Sequence, residues 1–169
     1  MKQDLTTDTV DRYIEASPEV LYALISDVTR TPEYSPEVVK CTWKKGATGP
    51  VVGARFKAIN HAGRIPDWPN SPVVTVADPG KAFAFERTEV GGGTIEWRYT
   101  FEPQGTGTLV TESYTVLKKV NALGWFIIDT LAGLKDRRSD LQNGMTTSLE
   151  RIAAILEQPT TAPDLTRPR

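Results

Sequence analysis

The stretch from Asn121 to Gln158, NALGWFIIDTLAGLKDRRSDLQNGMTTSLERIAAILEQ, decides the fold. Ile127, Leu131, Leu134, Arg138, Leu141, Met145, Ser148, Ile152 and Ile155 follow one another at alternating intervals of four and three. That spacing keeps one stripe of a helix on one surface. It predicts an unbroken helix over 121–158. Arg138 and Ser148 interrupt an otherwise apolar stripe. Polar groups on the packed side of a helix point to an interior that aliphatic side chains do not simply fill. The helix is therefore expected to form one wall of a ligand cavity.

The chain before this helix reads as strands. Thr6–Ala16 is a first strand carrying Val10, Tyr13 and Ile14. Ser17-Pro18-Glu19 is a helix start: serine caps, proline fits the first turn, and the acid suits the positive helix end. Val20, Leu21, Leu24, Ile25 and Val28 give that helix an apolar face. Thr31-Pro32-Glu33 repeats the signal and predicts a second short helix ending near Ser35-Pro36. Strands are then expected over Val38–Lys44, Gly53–Asn60, Val73–Ala77, Ala82–Val90, Thr94–Glu102 and Thr108–Val116. The clearest alternation sets Ile95, Trp97, Tyr99 and Phe101 against Glu96, Arg98 and Thr100. Gly46–Pro50, Asp78-Pro79-Gly80, Gly91-Gly92-Gly93 and Gln104–Gly107 are turns by composition, and His61–Pro72 is a loop holding Trp68. Short turns between consecutive strands imply an antiparallel sheet. The expected architecture is α+β: a curved sheet of about six to seven strands wrapped around a long C-terminal helix, with two short helices after the first strand.

Composition narrows the function classes. The 169 residues fit one domain, expected over 1–158, and the breaker-rich segment 159–169 reads as a disordered tail. A net charge of -1 argues against a nucleic-acid partner. Cys41 is the single cysteine, so no intrachain disulfide forms. Met1–Val10 lacks the apolar core of a secretory signal. The longest apolar stretch, Leu123–Leu134, contains Asp129 and is about half the ~20 residues of a transmembrane helix. A soluble cytoplasmic protein without stable membrane insertion is expected.

Several pieces occur together in a set order: Ala16-Ser17-Pro18-Glu19-Val20-Leu21 with Leu24-Ile25-Ser26-Asp27, then Gly53-Ala54-Arg55-Phe56 through Asn60, Gly63 and Trp68. Asp78-Pro79-Gly80 with Phe83-Ala84-Phe85, Trp97-Arg98-Tyr99 with Phe101-Glu102-Pro103, and Gly107-Thr108 leading to Thr111-Glu112-Ser113 follow. Gly144-Met145 leading to Leu149-Glu150-Arg151 ends the series. Over residues 8–157 the chain resembles the helix-grip fold of the START-like (SRPBCC) superfamily, and most closely its polyketide cyclase/dehydrase and lipid-transport branch. The resemblance implies a ligand cavity between sheet and helix. It leaves function to the site, because this fold hosts lipid carriers, polyketide binders, aromatase/cyclases and ring-hydroxylase subunits.

The candidate site follows from strand parity. Phe56, Trp68, Phe83, Phe85, Trp97, Tyr99 and Tyr114 are expected to converge beneath the helix, with Leu141 and Met145 facing them. A solid aromatic core is the competing reading. Glu112 and Asn60 share the same inward face, and an unpaired buried carboxylate costs several kcal/mol unless a cavity, water or cation relieves it. Glu112 and Arg138 are expected to pair at the polar end of the cavity, or else Arg138 runs out to solvent along the helix edge. With Asn60, Tyr99 and Tyr114 they would orient the polar atoms of a hydrophobic ligand such as a lipid, isoprenoid or polyketide. In an enzyme of the aromatase/cyclase kind, Glu112, Arg138 and Tyr99 are the catalytic candidates, acting on a carbonyl without any cofactor. A protein-interaction module such as a toxin–antitoxin component is a third class with no feature of its own here.

Other chemistry finds little support. One histidine, His61, and one cysteine do not make a metal site, so none is expected. His61 lies in a loop with no nucleophile to serve. The triple glycine joins two strands and reads as a hairpin turn rather than a phosphate cradle. Gly144 either makes room for a ligand or close strand approach, or is a tolerated surface glycine. Trp125-Phe126-Ile127-Ile128 is either a mobile lid at the entrance or, as Asp129 and Gly133 favour, the first buried turns of a helix with a bend.

Overall fold

The computed structural model describes residues 4–44, 46–89 and 91–157. The expected tail, 159–169, lies outside the described residues. Strand β1 (Thr7–Ile14) leads into α1 (Pro18–Ser26), a 3-10 turn (Val28–Arg30) and α2 (Thr31–Tyr34). Seven strands follow: β2 (Val38–Trp43), β3 (Phe56–Asn60), β4 (Trp68–Asn70), β5 (Val73–Asp78), β6 (Ala82–Thr88), β7 (Thr94–Gln104) and β8 (Gly107–Lys118). Then come α3 (Ala122–Phe126), a π-helical turn (Ile127–Leu131) and α4 (Arg137–Leu156). The α+β helix-grip architecture is as the sequence predicts.

The strands form two antiparallel sheets, β1-β8-β7-β6-β5 and β2-β3-β4. They meet along a short seam. Arg55 bridges Val73, and Gly53 N, Val74 N and Phe56 N donate to Val74 O, Ala54 O and Pro72 O at 2.9, 2.9 and 3.2 Å. A bulge between Val74 and Val76 lies beside the seam and bends β5. The concave face carries Glu112, Tyr99 and Phe83 in one cross-strand row and Tyr114, Trp97 and Phe85 in the next. Alternation places these side chains inward, as strand parity requires.

Helix α1 starts where serine and proline direct it. Ser17 Oγ accepts from Val20 N at 3.3 Å, and Pro18 occupies the first turn. Its buried face, Leu21, Leu24 and Ile25, joins Ile14, Phe83, Phe101 and Val110 in the larger core. A smaller core gathers Leu5, Ile95, Tyr114, Trp125, Leu141 and Met145.

Two expectations need correction. The helix over 121–158 is not continuous. Ala132 N reaches back to Ile127 O (2.8 Å) and Leu134 N to Ile128 O (3.0 Å), and Gly133 turns the chain at φ 72°. The helix then restarts with a new cap: Asp136 Oδ1 accepts from Ser139 N at 3.3 Å, and Ser139 Oγ donates to Asp136 Oδ2 at 2.7 Å. A restart resets the stripe. Arg137 is buried and Arg138 is exposed, while Leu131, on the predicted stripe, is 52% exposed. From Leu141 onward the stripe holds, with Met145, Ser148 and Ile152 buried and Ile155 half-buried. Secondly, His61–Pro72 is not all loop. Trp68–Asn70 pairs with β3, Trp68 opposite Asn60. With Pro69 in the middle it serves as an edge strand.

The break in the helix is docked on the loop after β3. Arg64 N donates to Ala132 O at 3.0 Å. Gly63 sits at φ 64°, where an added Cβ would lie 2.2 Å from Ala132 O. Replacing Gly63 with alanine meets both an unfavourable backbone conformation and a backbone clash. Gly63→Ala is expected to destabilise the fold by at least about 2 kcal/mol in urea unfolding.

Candidate functional site

A hollow lies between α2, the start of β2, the concave faces of β3 and β6–β8, and the N-terminal half of α4. Its free volume is about 70 Å³. A buried water needs roughly 10–15 Å³ of such space, so there is room for about five waters, and the hollow is about half the ~150 Å³ of a cavity that takes up benzene. Phe56, Phe83, Phe85, Trp97 and Tyr99 form the walls from the sheets. Leu141 and Met145 face them from α4. The Phe56–Phe85 ring pair, at 5.4 Å, joins the two sheets across this wall, flanked by Trp43 to Phe56 at 5.8 Å in the small sheet and Phe85 to Phe83 at 6.0 Å in the large one.

Glu112 and Asn60 complete the set of nine predicted residues, out of twelve, that line the hollow. Trp68, Tyr114 and Arg138 do not line it. Trp68 uses its carbonyl, which accepts from Asn60 Nδ2 at 3.3 Å. Tyr114 is buried one layer away in the smaller core, its ring 5.7 Å from Trp97. Arg138 does not pair with Glu112. It is exposed and donates to the Asp4 carbonyl at 3.0 Å. The register reset at Asp136 is the reason: it turns Arg138 to the outer face.

Glu112 is 3% exposed. Its Oε1 accepts from Tyr99 Oη at 2.7 Å, and its Oε2 has no hydrogen-bond partner among the described residues. Burial pushes its pKa up to about 8, and the tyrosine hydrogen bond pulls against that rise. Burial, followed by the Glu112 charge, likewise drives Tyr99 well above the usual tyrosine value. Glu112 is thus a neutral carboxylic acid at pH 7.

Ion pairs that the helical pattern did not disclose hold the opposite end. Arg137 grips Glu37 with both guanidinium arms, the second at 2.9 Å. Burial works to raise Glu37, but the Arg137 charge and hydrogen bonds outweigh it and leave the carboxyl below its ordinary value. Arg87 Nε donates to Glu89 at 2.5 Å, and its guanidinium carbon sits 5.6 Å from the centre of the Trp97 ring. Arg87 Nη1 reaches Asn60 Oδ1 at 3.5 Å, and Nη2 is unpartnered. Tyr34, Cys41 and Asp140 also border the hollow, and burial raises the Cys41 thiol to about 11.

Some of this was within reach of the sequence. Arg87 shares the parity of Phe83 and Phe85, and Asp136 with Ser139 is a capping pattern that restarts the helix. Glu37 carries no periodic signal. The polar stripe position Ser148 needs no cavity to satisfy it, because Ser148 Oγ donates to Gly144 O at 2.9 Å. Gly91 and Gly92, at φ 81° and 74°, make the hairpin turn. His61 is exposed and Nδ1 lies 2.7 Å from Asp67, away from the hollow. Among the described residues there is no cluster of three potential metal ligands and no helix long and apolar enough to cross a membrane.

An antiparallel sheet curved around a C-terminal helix, with a small aromatic hollow between them, defines the START-like helix-grip class. Within that class the chain belongs to the family of polyketide cyclases/dehydrases and lipid-transport proteins, which matches residues 6–157. The Polyketide_cyc-like protein Cgl2372 of Corynebacterium glutamicum is 31% identical, with a TM-score of 0.61 over 92% of this chain and 94% of that one. The di-domain ARO/CYC StfQ of the steffimycin biosynthetic pathway shares the fold at 14% identity and a TM-score of 0.70, over 90% of this chain and 51% of that one. Ara h 8.0201 does so at 13% identity and a TM-score of 0.65, over 90% and 98%. No curated protein matches the sequence.

Two substitutions check this geometry. A carboxyl whose folded pKa lies above its unfolded value binds its proton more tightly in the native state, so Glu112 lowers stability as pH rises from 4.5 to about 8. Glu112→Gln keeps an acceptor for Tyr99 and removes that dependence. It is expected to match the parent near pH 4.5 and to exceed it by about 4 kcal/mol at pH 8 in denaturant titrations. At Gly144 an added Cβ meets only Pro36 Cγ, at an ordinary 3.7 Å. Gly144→Ala is expected to raise stability by up to about 1 kcal/mol, read as a higher Tm.

Proposed function

We propose that the protein binds one small hydrophobic or aromatic molecule in the hollow between sheet and α4. The observation that carries this reading is the combination of aromatic walls with buried polar atoms that lack protein partners. Well-packed cores satisfy such atoms, whereas ligand sites pair apolar walls with a few converging polar groups. The family's small-molecule character supports the same reading. A free volume of about 70 Å³ is about half the ~150 Å³ of a cavity that takes up benzene, so even a single ring requires the surrounding side chains to move apart. A lipid, isoprenoid or polyketide of greater length requires a larger opening still. On this reading residues 1–158 act as one cytoplasmic domain, and Cys41 stays reduced and buried.

A second reading, a cofactor-free aromatase/cyclase-type enzyme, draws on one observation. Glu112 stays protonated to about pH 8 beside Tyr99, and a carboxylic acid held neutral at pH 7 is a general acid in waiting. It would donate a hydrogen bond to a ligand carbonyl and polarise it.

Native mass spectrometry of protein purified from its own host tests the first reading. A retained mass of one organic molecule per chain, lost on Phe85→Ala, is the expected result. Absence of any retained ligand, together with no thermal shift across lipid and aromatic panels, overturns it. If Glu112→Gln leaves binding intact but abolishes turnover of a bound ketone, the enzyme reading holds.

A further inference from the structure

A second recess lies outside the site already described. It is bounded by the segment before β1, the start of β7, the end of β8 and α3. Its free volume is about 260 Å³, well above the ~150 Å³ of a cavity that takes up benzene. Ile95 and Val116 face each other in this recess, one row beyond Trp97 and Tyr114. Leu5, Val120 and Trp125 complete its apolar lining, and Leu5, Ile95 and Trp125 are buried. Asp4, Lys118 and Lys119 stand exposed at its rim. Among the described residues, no side chain lines both this recess and the hollow. The smaller core backs both, since it contains Leu5, Ile95 and Trp125 from the recess and Leu141 and Met145 from the hollow.

Backbone contacts fix the lining of the recess. Val116 N donates to Thr6 O at 2.6 Å and ties the segment carrying Leu5 to β8. Asn121 N donates to Gly91 O at 3.3 Å, and Asn121 Oδ1 accepts from Gly124 N at 2.8 Å. An added Cβ at Gly91 would lie 2.5 Å from Gly124 Cα, and one at Gly93 would lie 2.7 Å from Val120 Cγ2. The triple glycine thus does more than turn the hairpin. It lets the β6–β7 loop sit directly against the connector that carries Val120 and Trp125. The rim charges are unequal. Asp4 Oδ1 accepts from Lys119 Nζ at 2.6 Å, and Arg138 Nη2 donates to the Asp4 carbonyl at 3.0 Å. The Lys118 ammonium has no hydrogen-bond or ion-pair partner among the described residues. At the rim, two lysines therefore stand against one carboxylate.

From this lining and its charge we infer that the recess is a second binding site. It takes an organic anion whose apolar body is one or two rings or a short alkyl chain, with the carboxylate at Lys118. Apolar walls offer water no hydrogen bonds, so an apolar body gains by displacing water from them. A neutral body of the same shape gains that contact alone. A cation meets Lys118 and Lys119 and is repelled. The carboxylate contact is exposed to solvent, which limits it to about fivefold in affinity. The walls thus supply the affinity, and Lys118 supplies the preference of sign. The site is independent of the binding function proposed for the hollow.

The test titrates the full chain with 1-naphthoate, 1-naphthamide and 1-naphthylmethylamine at pH 7 and low salt, reading amide and indole N–H shifts by two-dimensional NMR. Saturable shifts are expected at Leu5, Ile95, Val116 and Trp125. Naphthoate is expected to bind about threefold to fivefold tighter than naphthamide, and naphthylmethylamine weakest of the three. Added salt narrows the gap between naphthoate and naphthamide. Lys118→Gln removes that gap and leaves naphthamide binding unchanged. Val116→Phe, which fills the recess, abolishes the shifts for all three. Should Val116→Phe not fold, Lys118→Gln still decides, because Lys118 is exposed. Naphthylmethylamine binding as tightly as naphthoate overturns the inference, as does a naphthoate preference that survives Lys118→Gln. So does the absence of saturable shifts at these residues with any of the three. Shifts confined to Phe85, Trp97 and Met145 overturn it while supporting the hollow as the binding site.

Discussion

Helix α4 seats its apolar edge on β1 and β8 and leans against α2. Helix α1 covers β6 and β7 at the end where Tyr22 meets Phe83 and Phe101 edge-on, at 6.5 and 6.2 Å. Between them, over Phe83, Phe85, Trp97 and Tyr99, the hollow remains, with Leu141 and Met145 of α4 on its far side. The hollow is the uncovered remainder, and the packing that surrounds it is what keeps it from collapsing.

Opposed electrostatics mark the two ends of that remainder. Glu112 is buried with one tyrosine for company and stays neutral. Glu37 is gripped by Arg137 and stays charged. The two carboxyls therefore give stability pH dependences of opposite sign. Glu37 contributes less as pH falls below its ordinary value of 4.5, and Glu112 costs more as pH rises toward about 8. Neither arrangement is the cheapest way to fill space, since apolar side chains of equal volume are often more stabilising than a buried ion pair. Both carboxyls share the hollow with buried polar atoms that have no hydrogen-bond partner among the described residues.

The strands were legible because parity is a period-two signal that survives local irregularity. Phe83, Phe85, Trp97, Tyr99 and Glu112 all face where alternation puts them. The short edge strand at Trp68 was not legible, because a three-residue strand with a central proline carries no alternation to read. The C-terminal helix shows how a true pattern misleads. The four-three spacing runs on through Leu131 and Leu134 by composition, yet Gly133 and the Asp136 cap restart the helix. One residue of phase separates Arg138 from Arg137, and with it an exposed side chain from the clamp on Glu37. Glu37 itself follows a proline and precedes a strand, and nothing local marks its partner one hundred residues away.

The seam between the two sheets has a mechanical consequence. A continuous sheet resists bending through its full ladder of hydrogen bonds, but here β3 and β5 are stitched only at residues 53–56 and 72–74. Deformation concentrates where the fewest bonds resist it. The small sheet, with Phe56 and Asn60 facing the hollow, is thus tied to the large sheet through this seam and to the rest of the fold through β2, which packs on α2 and the 3-10 turn.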